Sequence, residues 1–171
     1  KLTNDGMEGK ISFQESLNRR LRILELDQLH LNKSIKSVTK LISPSFIGNI
    51  DWLKRYRDSI LIFSGGFKDM IKPVAVKLGL KKQNIYANEI IFKNGKFNGV
   101  DDKNFLSRSG GKLNQVRQLG LNKNLIVVGD GITDWEIKKL GDQVTFFAYT
   151  ENVYRKNVVQ KADFEANNFD E

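Results

Sequence analysis

The chain has 171 residues, 40% of them hydrophobic, which is enough to bury the core of one medium-sized domain. It contains no cysteine, which excludes disulfide bonds, thiolate zinc sites and thiol catalysis within these residues. The formal net charge is +8, but the basic residues are scattered, so we expect a site for small anions and no nucleic-acid partner. No apolar run could cross a bilayer and no leader opens the chain, so we expect a cytoplasmic protein without a membrane partner.

The first part of the chain has the periodicity of helices. The sequence from Ser12 to Glu15 is typical of a capping box, which predicts that a helix begins there. We expect a second helix over 31–42 and a third after Pro44, because proline suits the first turn of a helix. The only histidine, His30, lies in no pattern of a catalytic triad, and we assign it a structural or surface role. Apolar residues define one face of the first helix: Phe13, Leu17, Leu21 and Leu24.

From Ser59 onward, short apolar runs alternate with helical segments. Residues 59–63 predict a buried strand, and 70–78 predict a helix that Gly79 ends. Asn94 and Gly95 predict the turn of a hairpin over 90–97. The later elements are predicted as a helix over 112–119, a strand before Asp130, a helix to 140, a strand over 145–149, and a short closing helix and strand. This alternation predicts an α/β fold with a parallel sheet flanked by helices.

Ligands bind at the carboxyl ends of the strands in such folds, and the segment Ser64-Gly65-Gly66 falls at that edge. A serine hydroxyl followed by two glycines lets backbone amides approach an oxyanion, and the next helix adds its positive end. The segment therefore predicts a phosphate-binding loop, although the same residues could form an ordinary tight turn.

A second loop at this edge carries two carboxylates. Asp130 follows a buried strand and is a candidate magnesium ligand, because Mg²⁺ is usually held by one or two carboxylates together with phosphate and water. Asp134 is either the N-cap of the following helix or a residue that supports the metal ligands. Lys112 stands at a helix start, where the helix dipole disfavours a cation and a bound phosphate would offset that cost.

Three motifs occur in the order found in phosphoserine phosphatases of the haloacid dehalogenase (HAD) superfamily: Ser64-Gly-Gly-Phe67, Ser109-Gly-Gly-Lys112 and Gly129-Asp-Gly-Ile-Thr-Asp134. Further segments are similar to the cap and the closing part of that family: Met7 to Phe13, Glu15 to Leu17, Arg19-Arg20, Tyr86 to Glu89, Asn94-Gly95 and Asn152 to Arg155. The sequence resembles the family over nearly the whole chain. The resemblance implies a Rossmann-like α/β core over residues 44–171 and a small helical cap over residues 1–43.

The resemblance implies a magnesium-dependent phosphatase of serine biosynthesis that hydrolyses L-phosphoserine through an aspartyl-phosphate. Asp130 would bind Mg²⁺ with support from Asp134, and Lys112 would neutralise the phosphoryl group and the nucleophile. The remaining site residues would be Ser64, Gly65, Gly66 and Thr133 around the phosphate, Arg20 at the substrate carboxylate, and Met7 and Phe13 along the pocket wall.

The first motif of the family, Asp-x-Asp-x-Thr, is absent from these 171 residues. In the family its first aspartate attacks phosphorus and its second acts as acid and base. Asp5 and Asp27 lie in polar helical stretches and Asp101 and Asp102 would point apart, so none of them replaces it. We therefore expect a chain without the nucleophile, the first strand and the start of the cap. Two alternatives remain open: a HAD phosphatase for another small phosphomonoester, and a non-catalytic module that binds a phospholigand.

Overall fold

The structure is a computed structural model that describes residues 2–23, 27–101, 103–121 and 123–170. The helices are, in chain order, α1 (Leu2–Met7), α2 (Phe13–Ile23), α3 (Gln28–Val38), α4 (Pro44–Gly48), α5 (Ile50–Tyr56), α6 (Lys68–Lys77), α7 (Gly111–Gln118), α8 (Ile132–Trp135) and α9 (Lys156–Val159). The strands are β1 (Ile62–Phe67), β2 (Ile85–Asn88), β3 (Ile90–Lys93), β4 (Lys96–Val100), β5 (Leu125–Gly129), β6 (Val144–Tyr149) and β7 (Phe164–Ala166). Short 3₁₀ turns lie at Lys82–Asn84, Phe105–Ser107 and Glu136–Leu140.

The chain divides into two compact units. The first unit contains residues 1–23 and 105–169, and the second contains residues 24–104. The predicted boundary between a cap and a core at residue 43 stays a prediction. None of the helices in the described ranges has the length and hydropathy of a bilayer-spanning segment.

The first unit contains a parallel three-stranded sheet in the order β5-β6-β7. Side chains of β6 alternate between the two faces of the sheet, as the strand period of two requires. Phe146 and Ala148 point to one face, where they are 0% and 1% exposed and pack with Val158 of α9 and Trp135 of α8. This core fixes the carboxyl end of β5, which leads directly into the Asp130 loop.

The second unit contains two separate two-stranded sheets. Strands β1 and β2 are parallel, and helix α6 packs on them through the buried cluster of Ala75, Ile85 and Ala87. Strands β3 and β4 form the predicted antiparallel hairpin, in which Asn94 and Gly95 have φ angles of 53° and 74°. Positive φ at both positions is the geometry of a type I′ turn, so this prediction is confirmed.

The predicted strand over 59–63 is wrong in its bounds. Strand β1 begins at Ile62 and continues to Phe67, through the glycines that we expected to end it. Its pairing with β2 shifts register between Ser64 and Phe67, so the glycines form an irregularity inside the strand. Because glycine lacks a side chain, it accommodates such a bulge without steric cost. Strand β2 over Ile85–Asn88 was not predicted from the sequence.

The structure has helices in the regions where we predicted them, but several begin or end at other residues. Helix α2 begins as predicted, with the Glu15 amide donating to the Ser12 hydroxyl at 3.1 Å. Helix α3 begins earlier than residue 31, because Asp27 caps it and accepts from the His30 amide at 2.7 Å. The helix predicted after Pro44 is two short helices, α4 and α5. Helix α1 was not predicted. Four apolar residues were expected on one face of α2, and the structure describes the side chain of one of them, Leu17, which is buried.

Candidate active site

The Asp130 loop joins the end of β5 to the start of α8 in the first unit. A glycine flanks the aspartate on each side, and a Cβ atom at either position would lie less than 3.0 Å from a neighbouring side chain. A Cβ atom on Gly129 would lie 2.2 Å from the carboxyl carbon of Asp134, and one on Gly131 would lie 2.8 Å from the Met7 sulfur. Both distances are far inside van der Waals contact. The side chains of Asp134 and Met7 therefore pack closely against the two glycines of the loop.

Asp134 is buried and uses both of its carboxylate oxygens. One oxygen accepts from the backbone amide of Gly131 at 3.1 Å, and the other accepts from the Lys112 ammonium at 2.6 Å. The side chains of Lys112 and Asp134 are only 14% and 10% exposed. Asp134 is the third residue of α8 rather than its N-cap, which is Gly131. The N-cap alternative for Asp134 is therefore wrong, and the residue ties the Asp130 loop to helix α7.

Lys112 owes its position to the two glycines that precede it. Gly110 has a φ of 68°, in the left-handed region that favours glycine, and starts helix α7. A Cβ on Gly111 would lie 2.1 Å from the backbone oxygen of Phe105, so the helix start packs directly on that 3₁₀ turn. The cation at the positive end of α7 is balanced by Asp134.

Thr133 lies in the first turn of α8, and its hydroxyl is buried without a hydrogen-bond partner among the described residues. Buried hydroxyls are rarely left unsatisfied in folded proteins. The Thr133 hydroxyl, in the helical turn that directly follows the Asp130 loop, lacks an acceptor among the described residues.

Arg155, for which the sequence predicted no role, contacts Asp130. It precedes α9, its side chain is 6% exposed, and its Nη1 atom donates to the Asp130 backbone oxygen at 3.1 Å and to the Asp130 carboxylate. One feature of the sequence could have indicated a role for this arginine: it follows β6 in the closing segment. Because β5 and β6 are parallel, their carboxyl ends lie at the same edge of the sheet. The sequence pattern could therefore place Arg155 near this edge of the sheet, but it could not show that the guanidinium binds Asp130.

The predicted cap residues of the first unit lie on α1 and α2. Close contact between Gly6 and Ser16 joins the two helices, and the Ser16 hydroxyl donates to the Leu2 carbonyl at 2.8 Å. Arg20 follows on α2, where its Nε donates to the Ser16 carbonyl at 3.3 Å and burial lowers the pKa of its guanidinium. The side chain of Phe13 lies outside the described part of the structure.

The Ser64-Gly65-Gly66 segment belongs to the second unit. The Gly66 amide donates to the Ser64 hydroxyl at 3.0 Å, so the hydroxyl is oriented by its own loop and keeps its hydrogen for another acceptor. The Gly65 carbonyl accepts from the side-chain amide of Asn88 at 3.0 Å, and Asn88 is 0% exposed. Strand β2 therefore fixes the conformation of this loop.

A magnesium ion fits the donor set only in part. Asp130 offers a carboxylate that is 41% exposed, whereas both oxygens of Asp134 are occupied by Lys112 and Gly131. The described residues contain no cluster of three or more His, Cys, Asp or Glu side chains able to hold a metal ion. One partly exposed carboxylate, which is also paired with Arg155, agrees with Mg²⁺ coordination that is completed by phosphate oxygens and water.

No protein-family model matches the chain, but individual relatives do. It is 32% identical over 154 residues to the phosphoserine phosphatase of Methanocaldococcus jannaschii, covering 86% of this chain and 71% of that protein. The chain belongs to the phosphoserine phosphatase family. It is also 34% identical to the chloroplastic phosphoserine phosphatase of Arabidopsis thaliana, covering 95% of this chain and 56% of that protein.

A solved structure supports the same family. The crystal structure of a phosphoserine phosphohydrolase-like protein from Francisella tularensis superposes with a TM-score of 0.84 at 30% identity, covering 98% of this chain and 78% of that one. The chain thus has the HAD-like α/β fold of the phosphoserine phosphatases, as predicted. It spans 56% of the Arabidopsis relative and 64% of the phosphoserine phosphatase of Drosophila melanogaster, so it matches a part of each.

Proposed function

We propose that this chain supplies most of the active site of a phosphatase that hydrolyses L-phosphoserine to L-serine and phosphate in serine biosynthesis. The observation that carries the proposal is the Asp130 loop together with the start of α7, where a partly exposed carboxylate, a buried cation and a buried hydroxyl without a partner among the described residues lie in one unit. Such a combination suits a phosphate monoester held beside a divalent cation. The names of the relatives supply the substrate.

Each residue of the loop would have one task. Asp130 would hold Mg²⁺, and the ion when bound would neutralise charge that develops on the phosphoryl oxygens. Asp134 would hold the Lys112 ammonium and the Gly131 amide in fixed positions, and Thr133 would donate to a phosphoryl oxygen. This arrangement is electrostatic preorganisation, which carries most of the catalysis in phosphoryl transfer.

The substrate contacts of the remaining predicted residues are part of the same proposal. Arg20 would pair with the substrate carboxylate, since a planar guanidinium binds a carboxylate through two parallel hydrogen bonds. Ser64 and the amides of Gly65 and Gly66 would bind phosphoryl oxygens, and Met7 and Phe13 would line the pocket. The attacking carboxylate would come from a segment with an Asp-x-Asp-x-Thr motif outside these 171 residues, so this chain alone should be inactive. The cytoplasmic location also stays a proposal.

The absence of an Asp-x-Asp-x-Thr motif favours one other function, a module that binds a phospholigand without turnover. The test uses a protein expressed with the codons upstream of Lys1. Phosphate release is measured with L-phosphoserine, with O-phosphothreonine and with p-nitrophenyl phosphate, each with and without Mg²⁺. Magnesium-dependent preference for L-phosphoserine would support the proposal. Binding of phosphoserine without release of phosphate by that longer protein would favour the non-catalytic module, and preference for another ester would reassign the substrate.

A further inference from the structure

Arg155 and Asp130 form an unequal ion pair. The Arg155 side chain is 6% exposed whereas that of Asp130 is 41% exposed, so the cation is buried and the carboxylate faces outward. Asp130 is the carboxylate that the proposed function gives to Mg²⁺. The guanidinium therefore occupies, in the described structure, one side of the group that a divalent cation would use.

Two features separate this pair from an ordinary structural ion pair. The Arg155 Nε atom is buried without a partner among the described residues, although buried donors in stable ion pairs are normally all satisfied. The Nη1 atom also has two acceptors on the same residue, the carboxylate and the backbone oxygen of Asp130. The guanidinium can therefore lose the carboxylate and still keep a hydrogen bond at 3.1 Å to the loop.

The backbone of Arg155 is fixed independently of its side chain. Its carbonyl accepts from the amides of Val158 and Val159 at 2.9 and 3.0 Å, which form the first turn of α9. Any exchange of partners at Asp130 can thus take place by a small movement of the two side chains alone.

We propose that Arg155 is a positioning residue that acts as an internal counter-ion: it holds the Asp130 carboxylate in place before the metal binds and competes with the metal for it. The proposal rests on the role of Asp130 in the proposed function. A cation close to a carboxylate ligand opposes a second cation by Coulomb repulsion and by occupying a carboxylate lone pair. Arg155 therefore keeps the site folded without metal, and it lowers the affinity for Mg²⁺.

The test is isothermal titration of Mg²⁺ into the purified chain and its variants, with thermal unfolding measured in the absence of metal. Arg155→Gln should bind Mg²⁺ about tenfold more tightly than the original chain, as expected when one charge-assisted hydrogen bond no longer competes, and it should unfold at a lower temperature. Arg155→Lys keeps the charge but loses the fork of donors, so it should give a smaller rise in affinity. If Arg155→Gln does not fold, the lysine variant decides the outcome.

Lys138→Gln is the matched control. It removes the same charge from another ion pair of the first unit, with Asp163 at 2.7 Å, so it should lower the stability without changing the Mg²⁺ affinity. Equal affinity in the original chain and in the Arg155 variants, weaker binding in those variants, or no detectable binding by any of them would overturn the proposal. A merely structural role would lower the stability alone.

Asp130→Asn separates this inference from the function on which it rests. If the asparagine variant loses Mg²⁺ binding and the Arg155 variants match the original chain, Asp130 keeps its metal role and only the counter-ion proposal fails. If Arg155→Gln binds more tightly and the double variant with Asp130→Asn binds equally well, the metal is not at Asp130 and both proposals fail.

Discussion

Breaking the Lys112–Asp134 ion pair should strongly lower the free energy of unfolding of the first unit, because both side chains are largely buried. The variant Asp134→Asn keeps the shape of the side chain, which matters because the carboxyl group fills the space above Gly129. It also keeps an oxygen for the Gly131 amide. What it removes is the charge opposite the Lys112 ammonium, whose side chain is 14% exposed. Breaking a buried pair by removing one partner costs about 3–5 kcal/mol, and the retained amide bond puts this variant near the lower end, at about 3 kcal/mol.

The assay is urea unfolding followed by tryptophan fluorescence. The sequence has two tryptophans, of which Trp135 packs against the core of the first unit and Trp52 belongs to the second unit. A Trp52→Phe background therefore makes the signal report on the unit that contains the pair. With a slope of about 2 kcal/mol per molar urea, a loss of about 3 kcal/mol lowers the midpoint by about 1.5 M.

Two further variants decide whether the charge pair is the cause. The double variant Lys112→Met with Asp134→Asn should lose much less free energy of unfolding than the sum of the losses in the two single variants. The reason is that Lys112→Met then removes a cation that is already unpaired. Glu136→Gln breaks a more exposed pair with Lys139 in the same unit and should cost at most about 1 kcal/mol. Additive single effects, or equal midpoints for Asp134→Asn and Glu136→Gln, would refute the reasoning.

Three predictions concern the proposed activity, and the first two use a protein that carries both this chain and a segment with the Asp-x-Asp-x-Thr motif. Arg20→Lys should reduce turnover of phosphoserine roughly ten- to a hundredfold more than turnover of an aryl phosphate without a carboxylate, and an equal loss in the two kcat/KM values would remove Arg20 from this role. Asp130→Asn should abolish magnesium-dependent activity while circular dichroism stays unchanged, and a normal magnesium dependence would exclude Asp130 as a ligand. The purified 171-residue chain should release no phosphate from phosphoserine, and a docked or fused segment with Asp-x-Asp-x-Thr should restore turnover through a phosphoaspartate intermediate. Magnesium-dependent hydrolysis by the chain alone would mean that another residue is the nucleophile.

The parts of the fold that local chemistry determines were predictable from the sequence. The Asn94-Gly95 turn, the left-handed Gly79 after α6 and the strand that leads to Asp130 follow from a few adjacent residues. The bounds of β1 were not predictable in this way. Its continuation through Gly65 and Gly66 depends on pairing with β2 more than fifteen residues away, and a local pattern does not record such a partner.

The site shows the same division between local and distant causes. The sequence could indicate that Asp130, Thr133 and Asp134 share one loop, because they are neighbours at the end of a strand. It left open whether Asp134 was a cap or a support, since the answer depends on the ammonium of Lys112, which belongs to another helix. The contact of Arg155 with Asp130 is likewise a product of the sheet order β5-β6-β7.

The position of β5 at one side of its sheet has a consequence for handling this chain in solution. The described part of the first unit pairs β5 with β6 only, and the face of β5 turned away from the core leaves Ile126 and Val128 75% and 48% exposed. An edge strand with β-branched side chains and no charge along that face is a template for pairing with another molecule. This edge therefore favours self-association that grows with protein concentration, and Ile126→Lys should reduce it.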